Sequence, residues 1–122
     1  ILSALEKKDR ATCLRRVNRF LINGGYIHIA EFTLDTSSAA SKKRYKNDFK
    51  ITGEFGTLSV IDAVGTEIYR SHNFSKMELL DLIKKSGFQI AHFNKVIFTS
   101  YHGYKKPGMT IIARKIDKFS NL

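Results

Sequence analysis

Apolar residues recur at three- and four-residue intervals between Lys8 and Leu21. Cys13, Leu14, Val17, Phe20 and Leu21 share one stripe, which predicts an amphipathic helix. Arg10, Arg15, Arg16 and Arg19 lie mainly off it, and Asn23-Gly24-Gly25 ends it, because glycine tolerates the left-handed backbone of a helix C-terminus. The following run, Tyr26 to Phe32, is short and nearly continuous in apolar character. It reads as a strand buried on both faces, of the kind found in parallel sheets. Glu31 stands at its C-terminal end, where open α/β sheets place their ligands.

The pattern then loosens. Residues 33–50 read as a polar loop followed by a basic helix carrying Lys42, Lys43, Arg44, Lys46 and Lys50. Thr57 to Ile61 and Glu67 to Ser71 flank Asp62-Ala63-Val64-Gly65, two β-prone runs about a short glycine-containing turn, which predicts a hairpin. Ser75 and Glu78 have the spacing of a capping box, in which Ser75 caps a helix and Glu78 reaches back to it, and Phe74 and Leu79 stand at the staple positions. Leu79, Leu82 and Ile83 give that helix its buried face, Leu80 its flank, and Gly87 its stop. Phe88 to Phe98 is expected as a long strand bent near Asn94-Lys95, 101–108 as a loop holding Pro107, and Met109 to Arg114 as a final antiparallel strand. The tail from Asp117 is expected to fray. The order of helix, strand, insert with hairpin, helix, strand, strand argues an α/β fold. A complete doubly wound sheet needs more parallel strands, so the sheet is expected to be incomplete.

Composition adds boundaries. The 122 residues suffice for one small domain. The net charge of +10, from 21 Lys+Arg against 11 Asp+Glu, favours encounter with anions: nucleic acid, anionic membrane or acidic metabolites. A single cysteine, Cys13, excludes an intrachain disulfide and a thiolate zinc site, and fits a reducing, cytoplasmic setting. Cys13 falls on the apolar side of its helix and is expected to pack in the core. There is no apolar run of about 20 residues and no leader-like N-terminus. The start at Ile1 suggests a chain cut from something longer.

Leu14 to Glu31, with Gly24-Gly25 before the strand, resembles the helix, glycine turn and fifth strand of class I S-adenosylmethionine-dependent methyltransferases. Ile22-Asn23 stands where that family most often has Lys-Pro. Phe74 to Phe88 is similar to the family's helix and entry into its sixth strand, and Met109 to Lys115 to its seventh, which inserts antiparallel beside the fifth. Ile1 to Leu5 resembles the segment just after the fourth strand, so the resemblance puts Leu2 and Ser3 beside the cofactor. It implies the C-terminal half of a Rossmann-like methyltransferase sheet: one parallel strand, an antiparallel terminal pair, flanking helices and an inserted hairpin, with a lid or insert at about 33–73. The implied cofactor is S-adenosylmethionine. The family's Gly-rich loop and ribose-binding acid would precede Ile1, and Gly53-Glu54-Phe55-Gly56 lacks the strand-to-helix setting to replace them. The chain alone is therefore expected to be inactive, with a preceding half or self-association through the open edge of the Tyr26 to Phe32 strand as partners.

Methyl transfer from a sulfonium asks a protein to align acceptor and methyl, exclude water and sometimes remove a proton. Glu31 and His72 are the catalytic candidates. Glu31 is otherwise a solvated or helix-paired carboxylate, and His72 otherwise a capping or packing residue. Tyr69, Arg70, Asn73 and Tyr45 are the candidates for binding the acceptor, a small molecule or RNA. His28 is expected as a core histidine. His92 and His102 fall away from Glu31, and the histidine spacings suggest no metal site. An alternative is a basic nucleic-acid-binding module in which Lys42, Lys43, Arg44 and Lys46 meet phosphates and Tyr45 stacks on a base.

Overall fold

The computed structural model describes residues 1–99 and 102–116. A 3-10 turn, Leu2–Ala4, leads into α1 (Lys7–Phe20), β1 (Tyr26–Phe32), α2 (Ala39–Thr52), β2 (Thr57–Ile61), β3 (Glu67–His72), α3 (Lys76–Lys85), β4 (Phe88–Thr99) and β5 (Lys105–Lys115). The three-stranded sheet has the order β1-β5-β4, and β5 runs antiparallel to both neighbours. β1 and β4 are thus parallel to each other but separated by the last strand of the chain. The hairpin β2–β3 forms a separate two-stranded sheet.

Period-two alternation puts Ile29, Glu31, Met109, Ile111 and Ala113 on one face of the sheet. Leu14 of α1 and Leu79 and Ile83 of α3 pack there, with Phe74 and Phe88 completing the core. α3 begins as the sequence requires. Ser75 Oγ accepts from the Glu78 N–H at 3.1 Å, and Phe74 and Leu79 are fully buried beside it. The Glu78 carboxylate does not reach back to close the capping box; it holds His72 instead. α2 is capped in the same way by Ser38, which accepts from Ser41 N–H, and it stops at Gly53, whose φ of 72° is the left-handed conformation.

Four expectations need correction. β1 is buried on one face only: Tyr26, His28 and Ala30 are exposed, because the core helices pack on the opposite face, so His28 is not a core histidine. An apolar run does not reveal how many of its faces have neighbours. The irregularity in β4 lies between Ile90 and His92, not at Asn94-Lys95. β5 begins at Lys105, so the expected loop from 101 is shorter than read and Pro107 lies within a strand. Arg10 is buried, 3% exposed, although it falls off the apolar stripe of α1. Cys13 packs against the core as expected. The tail from Asp117 lies outside the described residues.

Gly108 marks the tightest approach in the sheet. A Cβ there would overlap the Phe98 ring and come within 3.1 Å of the Glu31 carbonyl oxygen. Phe98 is fixed in turn by an edge-on contact with Phe32, ring centroids 5.4 Å apart. Gly108→Ala is expected to lower unfolding free energy by about 1–3 kcal/mol, the usual cost of overpacking. Urea unfolding measures it.

Candidate functional site

The most constrained polar group is the Arg10 guanidinium. Its Nε donates to the Leu2 carbonyl oxygen at 3.3 Å, and its two terminal nitrogens donate to the two Glu54 oxygens at 2.8 and 2.9 Å. This fork-on-fork pairing is the strong form of an Arg–carboxylate bond. Glu54 Oε1 also accepts from the Thr57 hydroxyl. The Thr57 oxygen lies 2.8 Å from Nδ1 of His72, whose Nε2 lies 2.9 and 3.0 Å from the two Glu78 oxygens. The chain Arg10–Glu54–Thr57–His72–Glu78 thus joins α1, the α2–β2 connection, the hairpin and α3. Burial by itself would raise the Glu54 carboxyl. Hydrogen bonds from Arg10 and Thr57, with the charges of His72 and Arg10, outweigh it and hold the carboxyl at about 2.

Glu54, His72 and Glu78 also bring three potential ligand atoms within 4.8 Å of one another. Arg10 already supplies Glu54 with a cation, and the His72 nitrogens face different carboxylates. The grouping is accounted for as an ion-pair network.

His72 is 1% exposed. Each of its ring nitrogens has an oxygen partner, and Phe74 packs edge-on at 4.6 Å between ring centroids. Any part it plays in chemistry passes through the groups it holds. Glu31 is buried at the end of β1. It lies in an otherwise largely apolar groove of about 350 Å³ that Ile1, Leu2, Cys13, Val17 and Ile29 help to form. Glu31 and Leu2 therefore share one recess, beside the edge of β1 that pairs with no described strand.

Ser3 faces elsewhere, into a cleft of about 660 Å³ shared with Arg10, Glu54, Thr57 and Arg70. Arg70 is exposed and bonded to Glu67 at 2.9 Å, and Tyr69 on the same strand is exposed. Tyr45 and Asn73 come together at a third place: Asn73 Nδ2 donates to the Tyr45 hydroxyl at 2.8 Å. Of the six candidates from the insert and strand β1, Glu31, Arg70 and the Tyr45–Asn73 pair thus line three separate recesses, while His72 is enclosed in the network and Tyr69 is exposed. Tyr45 is 3% exposed and leans on Phe55, so it cannot stack on a nucleic-acid base, although the lysines around it on α2 are exposed. Arg10, Glu54 and Thr57 escaped the sequence reading. The i+3 spacing of Glu54 and Thr57 after the end of α2 is a faint sign of them, and nothing local marks their partner 44 residues earlier.

No protein-family model and no curated protein matches the chain. Solved structures do. A SAM-dependent methyltransferase from Methanosarcina mazei superposes with a TM-score of 0.88 at 31% identity, over 94% of this chain and 55% of its own. A 1,6-didemethyltoxoflavin-N1-methyltransferase from Burkholderia thailandensis, solved with 1,6-didemethyltoxoflavin and S-adenosylhomocysteine, gives 0.62 at 16% identity, over 96% of this chain and 41% of its own. The chain has the fold of the C-terminal part of Rossmann-like SAM-dependent methyltransferases. The chain spans about half the length of the Methanosarcina protein.

The network has a pH signature. Glu54 has its carboxyl held at about 2 in the fold, below its ordinary value of 4.5, so its contribution is complete above 4.5 and is lost as pH falls towards 2. Unfolding free energy should fall across that window, and Glu54→Gln should flatten the fall. Arg10→Met should cost about 2–3 kcal/mol in urea unfolding, below the ~3–5 kcal/mol of a fully buried pair because Glu54 keeps some solvent contact.

Proposed function

We propose that this chain is the acceptor-side part of a SAM-dependent methyltransferase that acts on a small molecule. The observation that carries the reading is the match to the Methanosarcina methyltransferase over 94% of the chain, insert included. In open α/β sheets the ligand lies beyond the C-terminal ends of the strands. Glu31 occupies that end of β1, in the recess beside its free edge, together with Leu2. The methyl group would be delivered there, with Leu2 against the cofactor and Glu31 orienting the acceptor or taking its proton. The insert would fold over the acceptor. Its hairpin packs on the 3-10 turn, and Arg10 bonds to both that turn and Glu54, so the network fixes the lid relative to the reacting end of the sheet. His72 and Glu78 are positioning residues in this scheme. Ser3 and Arg70 line the cleft next to it, where the acceptor would enter.

The chemistry supplied by S-adenosylmethionine is an electrophilic methyl on a sulfonium. The residues of this chain supply alignment and exclusion of water. The bound acceptor of the Burkholderia enzyme is a small molecule, which supports the same class here.

No Gly-rich strand–turn–helix is present among the described residues, so the 122-residue chain should hold the cofactor weakly. Calorimetric titration of the 122-residue chain with S-adenosylmethionine should give no micromolar binding. A protein extended through the Gly-rich half should bind. Micromolar binding by the short chain would refute this division of labour. In the extended protein, Glu31→Gln should lower kcat by about 10²–10⁴-fold if Glu31 takes the proton, with the KM for S-adenosylmethionine unchanged.

A further inference from the structure

The third recess has a chemistry of its own. It is a cavity of about 130 Å³ between the end of β1, α2 and the start of β5, comparable to one of about 150 Å³ that accommodates benzene in another protein. Phe32, Leu58 and Pro107 form apolar wall, and Arg44, Lys106 and Tyr45 bring donors to it.

The donors are in excess. The Tyr45 hydroxyl oxygen already accepts from the Asp35 N–H at 3.0 Å and from Asn73 Nδ2 at 2.8 Å, so its own proton is left for an acceptor. No described residue takes that proton. Arg44 comes no closer to Asp48 than 3.8 Å, at Nε, and its guanidinium donates no hydrogen bond to a described residue. Lys106 lies over the Phe32 ring, 5.7 Å from its centroid, and has no carboxylate in ion-pair range among the described residues. The cavity's one acid, Asp35, has one carboxylate oxygen engaged by Ser37: its Oδ1 accepts from the Ser37 hydroxyl at 2.5 Å and from the Ser37 N–H at 3.1 Å. Those two bonds lower the Asp35 carboxyl below its usual value, so it stays an anion bound to Ser37.

From this geometry we infer that the cavity binds an oxyanion, a carboxylate or phosphate carried on a small apolar body. Arg44 and Lys106 supply charge, Tyr45 a directed hydrogen bond, and Phe32 with Pro107 the apolar wall. Asn73 and the Asp35 amide fix the Tyr45 oxygen in place, which makes it a preorganised donor. Phe32 and Glu31 are consecutive on β1 and point to opposite faces, and this cavity and the Glu31 recess share no lining residue. The assignment concerns ligand binding alone, and failure of the methyl-transfer reading would leave it untouched.

Titration of the ¹⁵N-labelled chain with benzoate and, separately, inorganic phosphate tests it without S-adenosylmethionine. Saturable shifts are expected at the amides of Thr33, Asp35, Arg44 and Asn73, with sodium chloride at equal ionic strength as the control. Saturation by benzoate only assigns a carboxylate, and by phosphate only, a phosphate. Arg44→Gln and Lys106→Gln, both at exposed positions, should each weaken binding about tenfold, and Tyr45→Phe about fivefold. The charge variants carry the test if Tyr45→Phe disturbs the fold. No saturable shift with either probe up to tens of millimolar would overturn the assignment, as would shifts that both charge variants leave unchanged.

Discussion

A buried guanidinium organises this chain. Arg10 is held among apolar side chains, its charge 5.3 Å from the centre of the Phe74 ring. A cation in that position is tolerable only when opposite charge and hydrogen-bond acceptors surround it. Glu54 and the Leu2 carbonyl meet the requirement, and they come from segments far apart in sequence. Glu54 then draws in Thr57, which meets His72, which meets Glu78. Each link satisfies a group that would otherwise be buried without a partner. The consequence is geometric: the insert between β1 and α3 is bonded to the helix preceding β1 and to the helix that follows the hairpin.

The sheet supplies the second constraint. Its last strand lies in the middle, antiparallel to both neighbours, so β5 provides the inner rows of the core while β1 and β4 stay at the edges. The core helices pack on one face. The edge of β1 beside the apolar groove of Glu31 pairs with no described strand, and the chain spans 55% of the Methanosarcina methyltransferase. The groove containing a buried carboxylate and the cavity beside Tyr45 are separate recesses that meet β1 at neighbouring residues. Two consecutive residues, Glu31 and Phe32, therefore line two different recesses.

Much of this was legible in the order of residues. The Ser75 cap and the staple pair Phe74 and Leu79 are local devices whose physics acts within one turn of chain, so their spacing alone locates the start of α3. The hairpin about Asp62 to Gly65 is local in the same sense. Because these devices come in the family's order, the resemblance of the whole chain to a methyltransferase C-terminal half could also be read. Tertiary structure decided the rest. His28 lies in an apolar run yet is exposed, since the sequence of one strand does not tell which of its faces another element covers. Arg10 is off the apolar stripe yet buried, because Glu54 waits for it 44 residues later. Tyr45 and Asn73, read as separate candidates, form one hydrogen-bonded pair, and Tyr69 and Arg70 stand away from it. Periodicity reports what each residue can bury, and only the folded chain settles which partner makes that burial possible.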